Sequence, residues 1–244
     1  MDTKKRPPQR HFSYKHPTFG TKNRPKPESA WNKSVYYWWW AYLRRNEEYI
    51  ACCANGGSGK MAALYADFGD VRGEDFKAWW ATDSRGVRLF AEPRAEDSFR
   101  VLQAAEVVSG HAGTLAVSFP LNLPKKFLEK RFKALLAIHI DRKRGKQLAK
   151  ESNAKYRFNG QPNLEALELT MEIYDYRAAN PDMTLWEIGN SSSLINDDLK
   201  LENDDTISTA QDKKLVLAST VSRYLRKYRE YVEATGRGCF LSEK

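Results

Sequence analysis

The sequence predicts an α+β fold that is mostly helical, with an aromatic-rich N-terminal domain carrying a small sheet and a helical, winged-helix-like C-terminal domain. Three observations carry this expectation. Apolar residues recur at helical spacing in several long stretches after residue 34. Two short segments, Val87–Phe90 and Thr114–Asn122, alternate with the period of two that strands show. Charge is sorted into blocks rather than mixed along the chain. The expected division is an arm over 1–33, an α+β domain over 34–150 and a helix-turn-helix or winged-helix-like domain over 160–244. An acidic insertion at about 191–212 interrupts the last of these.

Residues 1–33 are rich in Pro, Lys and Arg and nearly free of aliphatic residues, which predicts a flexible arm. Its aromatic and basic residues, among them Arg10, Phe12, Tyr14, Lys15 and Phe19, suit a phosphate backbone and stacked bases. An arm that touches nothing specific fits the same composition.

The stretch Val35–Ile50 holds five consecutive aromatic residues, Tyr36 to Trp40, followed by Tyr42 and Tyr49. Read as one helix, it places Tyr36, Trp39, Trp40, Leu43 and Ile50 on one wide face and Tyr37, Trp38 and Tyr42 on another. The second set is either core packed from another side or a surface offered to a partner. Within this stretch, Trp40-Ala41-Tyr42-Leu43-Arg44-Arg45-Asn46-Glu47-Glu48-Tyr49 resembles a W-x-F-L-R-R-N-P-x-Y signature in a family of bacterial mobile-element and prophage proteins. Those proteins are described as transcriptional-regulator-like, and Glu47 stands where the family often has proline. Tyr65 to Trp80 is similar to a segment of uncharacterised proteins on such elements. The resemblance implies a regulatory, nucleic-acid-directed role and assigns no site residue.

Gly56 to Lys60 superficially matches a phosphate loop, but Met61 follows the lysine where a Walker A motif needs Ser or Thr, and the preceding segment reads as helix. A connector between helices explains the same residues. Asp67, Asp70, Glu74 and Asp75 cluster near the next turn, which invites a metal-nuclease idea, but capping and turn roles are the usual explanation for Asp at such a place. His139 and Asp141 lack a third ligand in view. Val87–Phe90 and Thr114–Asn122 are expected to pair as the small sheet. Pro124 then starts a helix whose polar side is basic, with Lys126 and Lys130, and the basic run continues through Arg142, Lys143 and Arg144.

In the C-terminal third, Leu164–Ala179 reads as an amphipathic helix broken at Asn180-Pro181, and Thr184 caps a short helix beginning at Leu185. From Lys213 to Thr235 a stripe of Leu217, Val221, Leu225, Tyr228 and Val232 backs a polar face with Ser222, Arg223, Arg226 and Lys227. That division suits a recognition helix, with Lys213, Lys214 and Arg237 gripping phosphates and Gly236 to Leu241 forming a small wing. A surface helix with merely solvated cations has the same pattern.

The 244 residues carry 40 Lys and Arg against 31 Asp and Glu, a net charge of +9. Blocks of about +7 (1–33), about −2 (34–122), about +9 (123–160), about −9 (165–205) and about +5 (213–237) point to an anionic partner. DNA is expected ahead of RNA, with self-association or a protein partner as the alternative: an adaptor working through Tyr37, Trp38 and Tyr42 and the charge blocks. Cys52, Cys53 and Cys239 form no disulfide or metal pattern, and no apolar run approaches a membrane span, so a cytoplasmic setting is expected. No catalytic residue, metal or cofactor is assigned.

Overall fold

The computed structural model describes residues 11–73, 75–92, 117–139, 152–158, 160–192 and 195–241. The protein is mostly helical, with one two-stranded antiparallel sheet among the described residues. Among the described residues the α-helices are α1 (Val35–Leu43), α2 (Glu47–Ala54), α3 (Ala62–Phe68), α4 (Phe76–Ala81), α5 (Arg85–Phe90), α6 (Lys125–His139), α7 (Leu164–Ala179), α8 (Leu185–Ser191) and α9 (Ile207–Gly236). None is long and apolar enough to cross a membrane.

The aromatic stretch is two helices rather than one. Arg44 and Arg45 close α1, and the Asn46 side chain accepts from the Tyr49 N–H to start α2. The Asn46 amide also donates to the Val232 carbonyl of α9 at 3.1 Å, so the break is fixed from both sides. Every residue of α1 except Tyr37 is buried. The Trp39 ring lies 5.1–5.9 Å from those of Phe68, Phe90, Tyr156, Phe158 and Phe240. Trp40 meets Phe76 and Trp79, while Tyr42 meets Tyr228, Tyr231 and Phe240. Trp38 and Tyr42, expected on a partner surface, are core residues instead. The Trp38 indole donates to the Asn32 carbonyl and the Tyr42 hydroxyl to the Leu167 carbonyl, both at 2.8 Å.

From residue 11 onward the expected arm is docked on this core by a few side chains, while residues 20–29 stay exposed. Phe12, Tyr14 and Phe19 pack against it, the Tyr14 N–H donates to the Tyr36 hydroxyl and the Ser34 hydroxyl donates to the Lys15 carbonyl. The sheet is here, pairing Gly20–Thr21 with Arg24–Pro25. Gly20 has φ +78°, and a Cβ there would lie 2.3 Å from the Arg24 carbonyl oxygen, so the hairpin requires glycine. Residues 1–10 lie outside the described residues.

The expected sheet partner Val87–Phe90 is helical. Leu89 and Phe90 are both buried although adjacent, which a helix end allows and a strand facing one core does not. Val117–Pro120 forms no strand, and residues 114–116 lie outside the described residues. Glu92 leaves α5 and binds back: its carboxylate accepts from the Ser13 and Ser152 hydroxyls and the Asn153 N–H at 2.6–2.9 Å.

Helices α7 and α8 begin where the sequence places them, capped by Asn163 and Thr184; the Glu187 carboxylate accepts from the Thr184 N–H at 2.7 Å. Helix α9 begins six residues earlier than Lys213, at Ile207, absorbing the end of the acidic insertion. Ile173, Ile188, Ile195, Leu217 and Val221 form a second core among α7, α8 and α9. Gly189 sits so close to α9 that a Cβ would lie 3.0 Å from that of Leu217. The first core crosses the expected boundary between domains, because Leu167, Tyr228 and Phe240 belong to it. Gly238 to Leu241 turns inward, and Phe240 forms a parallel bridge with Phe158 and is fully buried, so these residues do not stand out as a wing.

Trp39→Ala is expected to lower unfolding free energy by about 3–5 kcal/mol. Asn46→Ala is expected to cost about 1–2 kcal/mol through the lost cap. Urea denaturation of both variants checks this; an Asn46→Ala midpoint equal to wild type would mean the α1–α2 break is not fixed by that side chain.

Candidate nucleic-acid interface

Helix α9 is built to present one face outward. Leu217, Val221 and Tyr228 point into the two cores, leaving Ser219, Ser222, Arg223, Arg226 and Arg229 exposed and Lys227 half-buried. Arg223, Arg226 and Arg229 recur every three residues and so lie along one side of the helix. Arg229 was not singled out from the sequence, although this three-residue spacing marks it. No acidic residue interrupts the face from Ser219 to Arg229. Arg226 makes only a solvent-exposed 3.7 Å pair with Glu230, and the Arg223 guanidinium lies 5.7 Å from the Tyr224 ring centre. Exposed pairs of this kind contribute little and exchange easily for a phosphate.

The remaining expected contacts divide. Lys213 is a structural clip: its ammonium lies 2.8 Å from Asp205 and 3.9 Å from Glu202, tying α9 to the connector before it. The Asp205 hydrogen bond holds the Lys213 ammonium above its ordinary pKa, and it is the close pairing with Asp205 that keeps this side chain from reaching a phosphate. Lys214 lies 4.4 Å over the Trp186 ring. Arg237 is exposed, with Glu233 at 3.7 Å. Lys126 and Lys130 are exposed on α6, some eighty residues earlier in the chain. Arg142, Lys143 and Arg144 lie outside the described residues. Of the expected partner surface, only Tyr37 is half-exposed.

A cavity of about 300 Å³ is lined by Glu28, Trp31, Asn32, Tyr37, Trp40 and Arg44. Its aromatic wall resembles a cage for cations, but the Arg44 guanidinium already stands 4.6 Å from the Trp40 ring centre.

The acidic cluster near α3 has structural partners. Asp67 accepts from the Lys155 ammonium at 2.5 Å and the Tyr156 hydroxyl at 2.6 Å, and Asp70 takes Arg72 in a bidentate pair. Burial works against ionisation of Asp67, but the Lys155 and Tyr156 hydrogen bonds outweigh it and hold the carboxyl below its ordinary range. Among the described residues, no group of three His, Cys, Asp or Glu side chains is arranged to hold a metal. The chain matches no family model, curated protein or solved structure in the three comparisons made.

Because the folded-state pKa of Asp67 is depressed, its contribution to stability is complete above the unfolded value of 3.8 and is lost as pH falls through that region. Asp67→Asn is therefore expected to reduce stability at pH 7 and to flatten its decline below pH 4. Denaturation midpoints at pH 7, 5 and 3 measure the slope; an unchanged slope would show that Asp67 makes no such contribution.

Proposed function

We propose that the protein is a non-enzymatic nucleic-acid-binding protein directed at duplex DNA, reading its target with the outward face of α9. The observation that carries this reading is the uninterrupted, exposed line of Ser222, Arg223, Arg226 and Arg229 on a helix whose other side is anchored in two cores. Arginine offers a planar fork to guanine edges and phosphate oxygens, and serine serves either. At 30 residues α9 is about 45 Å long, and it presents its basic face outward from the same turns whose opposite face, with Leu217, Val221 and Tyr228, stays on the protein.

The likeness to a helix-turn-helix is partial. Helix α8 precedes α9 and packs on it, but the connector over 192–206 is far longer than the three or four residues such a turn usually has. With Phe240 in the core, the contacts of a winged-helix reading fall to α9 and to Arg237 beside its end. The resemblance of Trp40–Tyr49 to mobile-element regulators supports a regulatory role in a bacterial prophage or similar element, acting in the cytoplasm. Lys126 and Lys130 are available for sequence-independent phosphate contact.

Titration against duplex DNA, single-stranded DNA and RNA over a salt series tests the proposal. Duplex DNA is expected to bind tightest, with affinity falling steeply as salt rises. Arg223→Ala with Arg226→Ala is expected to weaken a preferred site by about 1–3 kcal/mol per lost base contact. Binding unchanged in that double variant would remove α9 as the reading element, and weak binding to all three ligands would overturn the function.

A further inference from the structure

Among the described residues, large hydrophobic side chains standing in solvent fall on two segments. The first is α6 and its approach, where Val117, Phe119, Leu121, Leu123, Phe127 and Ile138 are exposed, Leu121 and Ile138 by 89% and 78%. The second is the N-terminal half of α9, where Ile207 is 89% exposed and, two turns on, Leu215 is 65% exposed with Val216 next to it. Single exposed hydrophobics are ordinary; clusters of them mark contact surfaces.

The two clusters are set in opposite charge. The α6 segment carries Lys125, Lys126, Lys130, Arg131 and Lys133 against Glu129 alone. The α9 hydrophobics are flanked along the chain by the exposed Glu202, Asp204 and Asp212, and the cations of the same stretch already have acidic or aromatic partners: Lys213 lies 2.8 Å from Asp205 and 3.9 Å from Glu202, Lys214 lies over Trp186 and Lys200 lies 2.5 Å from Asp197. Within one chain, α9 packs against α8, α7, α1 and the turn at 197–199, and its N-terminal hydrophobics stay uncovered.

We propose that α6 of one copy docks on the acidic, apolar N-terminal half of α9 of a second copy. Pairing α6 with α6 would set five cations against five, and an anionic membrane suits α6 but repels the acidic surround of α9. The contact is between unlike surfaces, so it leaves one free surface of each kind on a pair and extends to a ring or a chain of copies. It leaves the Arg223–Arg226–Arg229 face uncovered, at the other end of α9, while Lys126 and Lys130 of a docked α6 face the second copy and are free for phosphate only on an undocked one.

The test uses full-length protein free of nucleic acid, so its outcome is independent of the DNA-binding proposal. Light scattering over a concentration series at low salt is expected to give masses above the 28.1 kDa of one chain, falling at high salt. Two variants are altered at exposed positions, Phe127→Asp with Ile138→Asp, and Leu215→Lys with Val216→Lys. Each alone is expected to be monomeric with an unchanged circular-dichroism spectrum. Mixed, they are expected to give a species of two chains, because each supplies the surface the other has lost. A monomeric wild type, or a mixture that stays monomeric, overturns the proposal. So does a monomer that is captured through α6 by phosphatidylserine vesicles.

Discussion

A short helix that must be covered on nearly every side governs this structure. Helix α1 leaves only Tyr37 partly in solvent, and its three tryptophans and two buried tyrosines present more apolar area than one neighbour can cover. The cover therefore comes from the arm, from α3 to α5, from 156–158, from α7, from the end of α9 and from Phe240. Removing this area from water favours gathering distant parts of the chain, and it does so despite an opposing term. The indole N–H groups of Trp31, Trp39 and Trp40 are buried without an acceptor among the described residues, each at about 1–3 kcal/mol. Packing area has outweighed polar satisfaction at the centre of the protein.

The same constraint shapes α9. Its C-terminal half is held against α1 through Tyr42, Tyr228 and Tyr231, and the Tyr174 and Tyr228 rings stack at 3.6 Å. Its middle rests on Ile173 and Ile188, and its start is clipped by Lys213 to Asp205. The Arg45–Asp175 fork at 2.6 and 2.8 Å joins the end of α1 to α7 alongside. Anchored at these points, α9 has one direction in which to present cations, and Arg223, Arg226 and Arg229 take it. A pre-positioned face loses less conformational freedom on binding than cations on a free tail would.

Charge segregation along the chain has two meanings in the folded protein. Part of the acidic block is spent locally: Asp205 holds Lys213, Asp175 holds Arg45 and Asp197 holds Lys200. Another part, Glu202, Asp204 and Asp212, flanks the exposed hydrophobics of α9 along the chain, opposite in sign to the cations of α6. Net charge alone describes neither arrangement, since both depend on which charges share a face.

The amino-acid sequence by itself determined the helices α7 and α8, the α6 start after Pro124, the inward stripe of α9 and its outward Arg223 and Arg226. These follow from local signals, caps and helical period, which act within a few residues. Tertiary structure decided the rest. Val87–Phe90 alternates like a strand but becomes helix because Leu89 and Phe90 must both reach the core around Trp39. Phe12, Tyr14 and Phe19 lie in a Pro- and Lys-rich stretch whose composition reads as an arm, yet α1 offers them more burial than solvent does. Trp38 and Tyr42 sit on the side of α1 that periodicity leaves open: the Asn32 carbonyl and neighbouring rings engage Trp38, and Tyr42 is closed in only by the arrival of α7 and α9 more than a hundred residues later. Periodicity reports which side chains share a face; what covers that face is settled by parts of the chain that no local window contains.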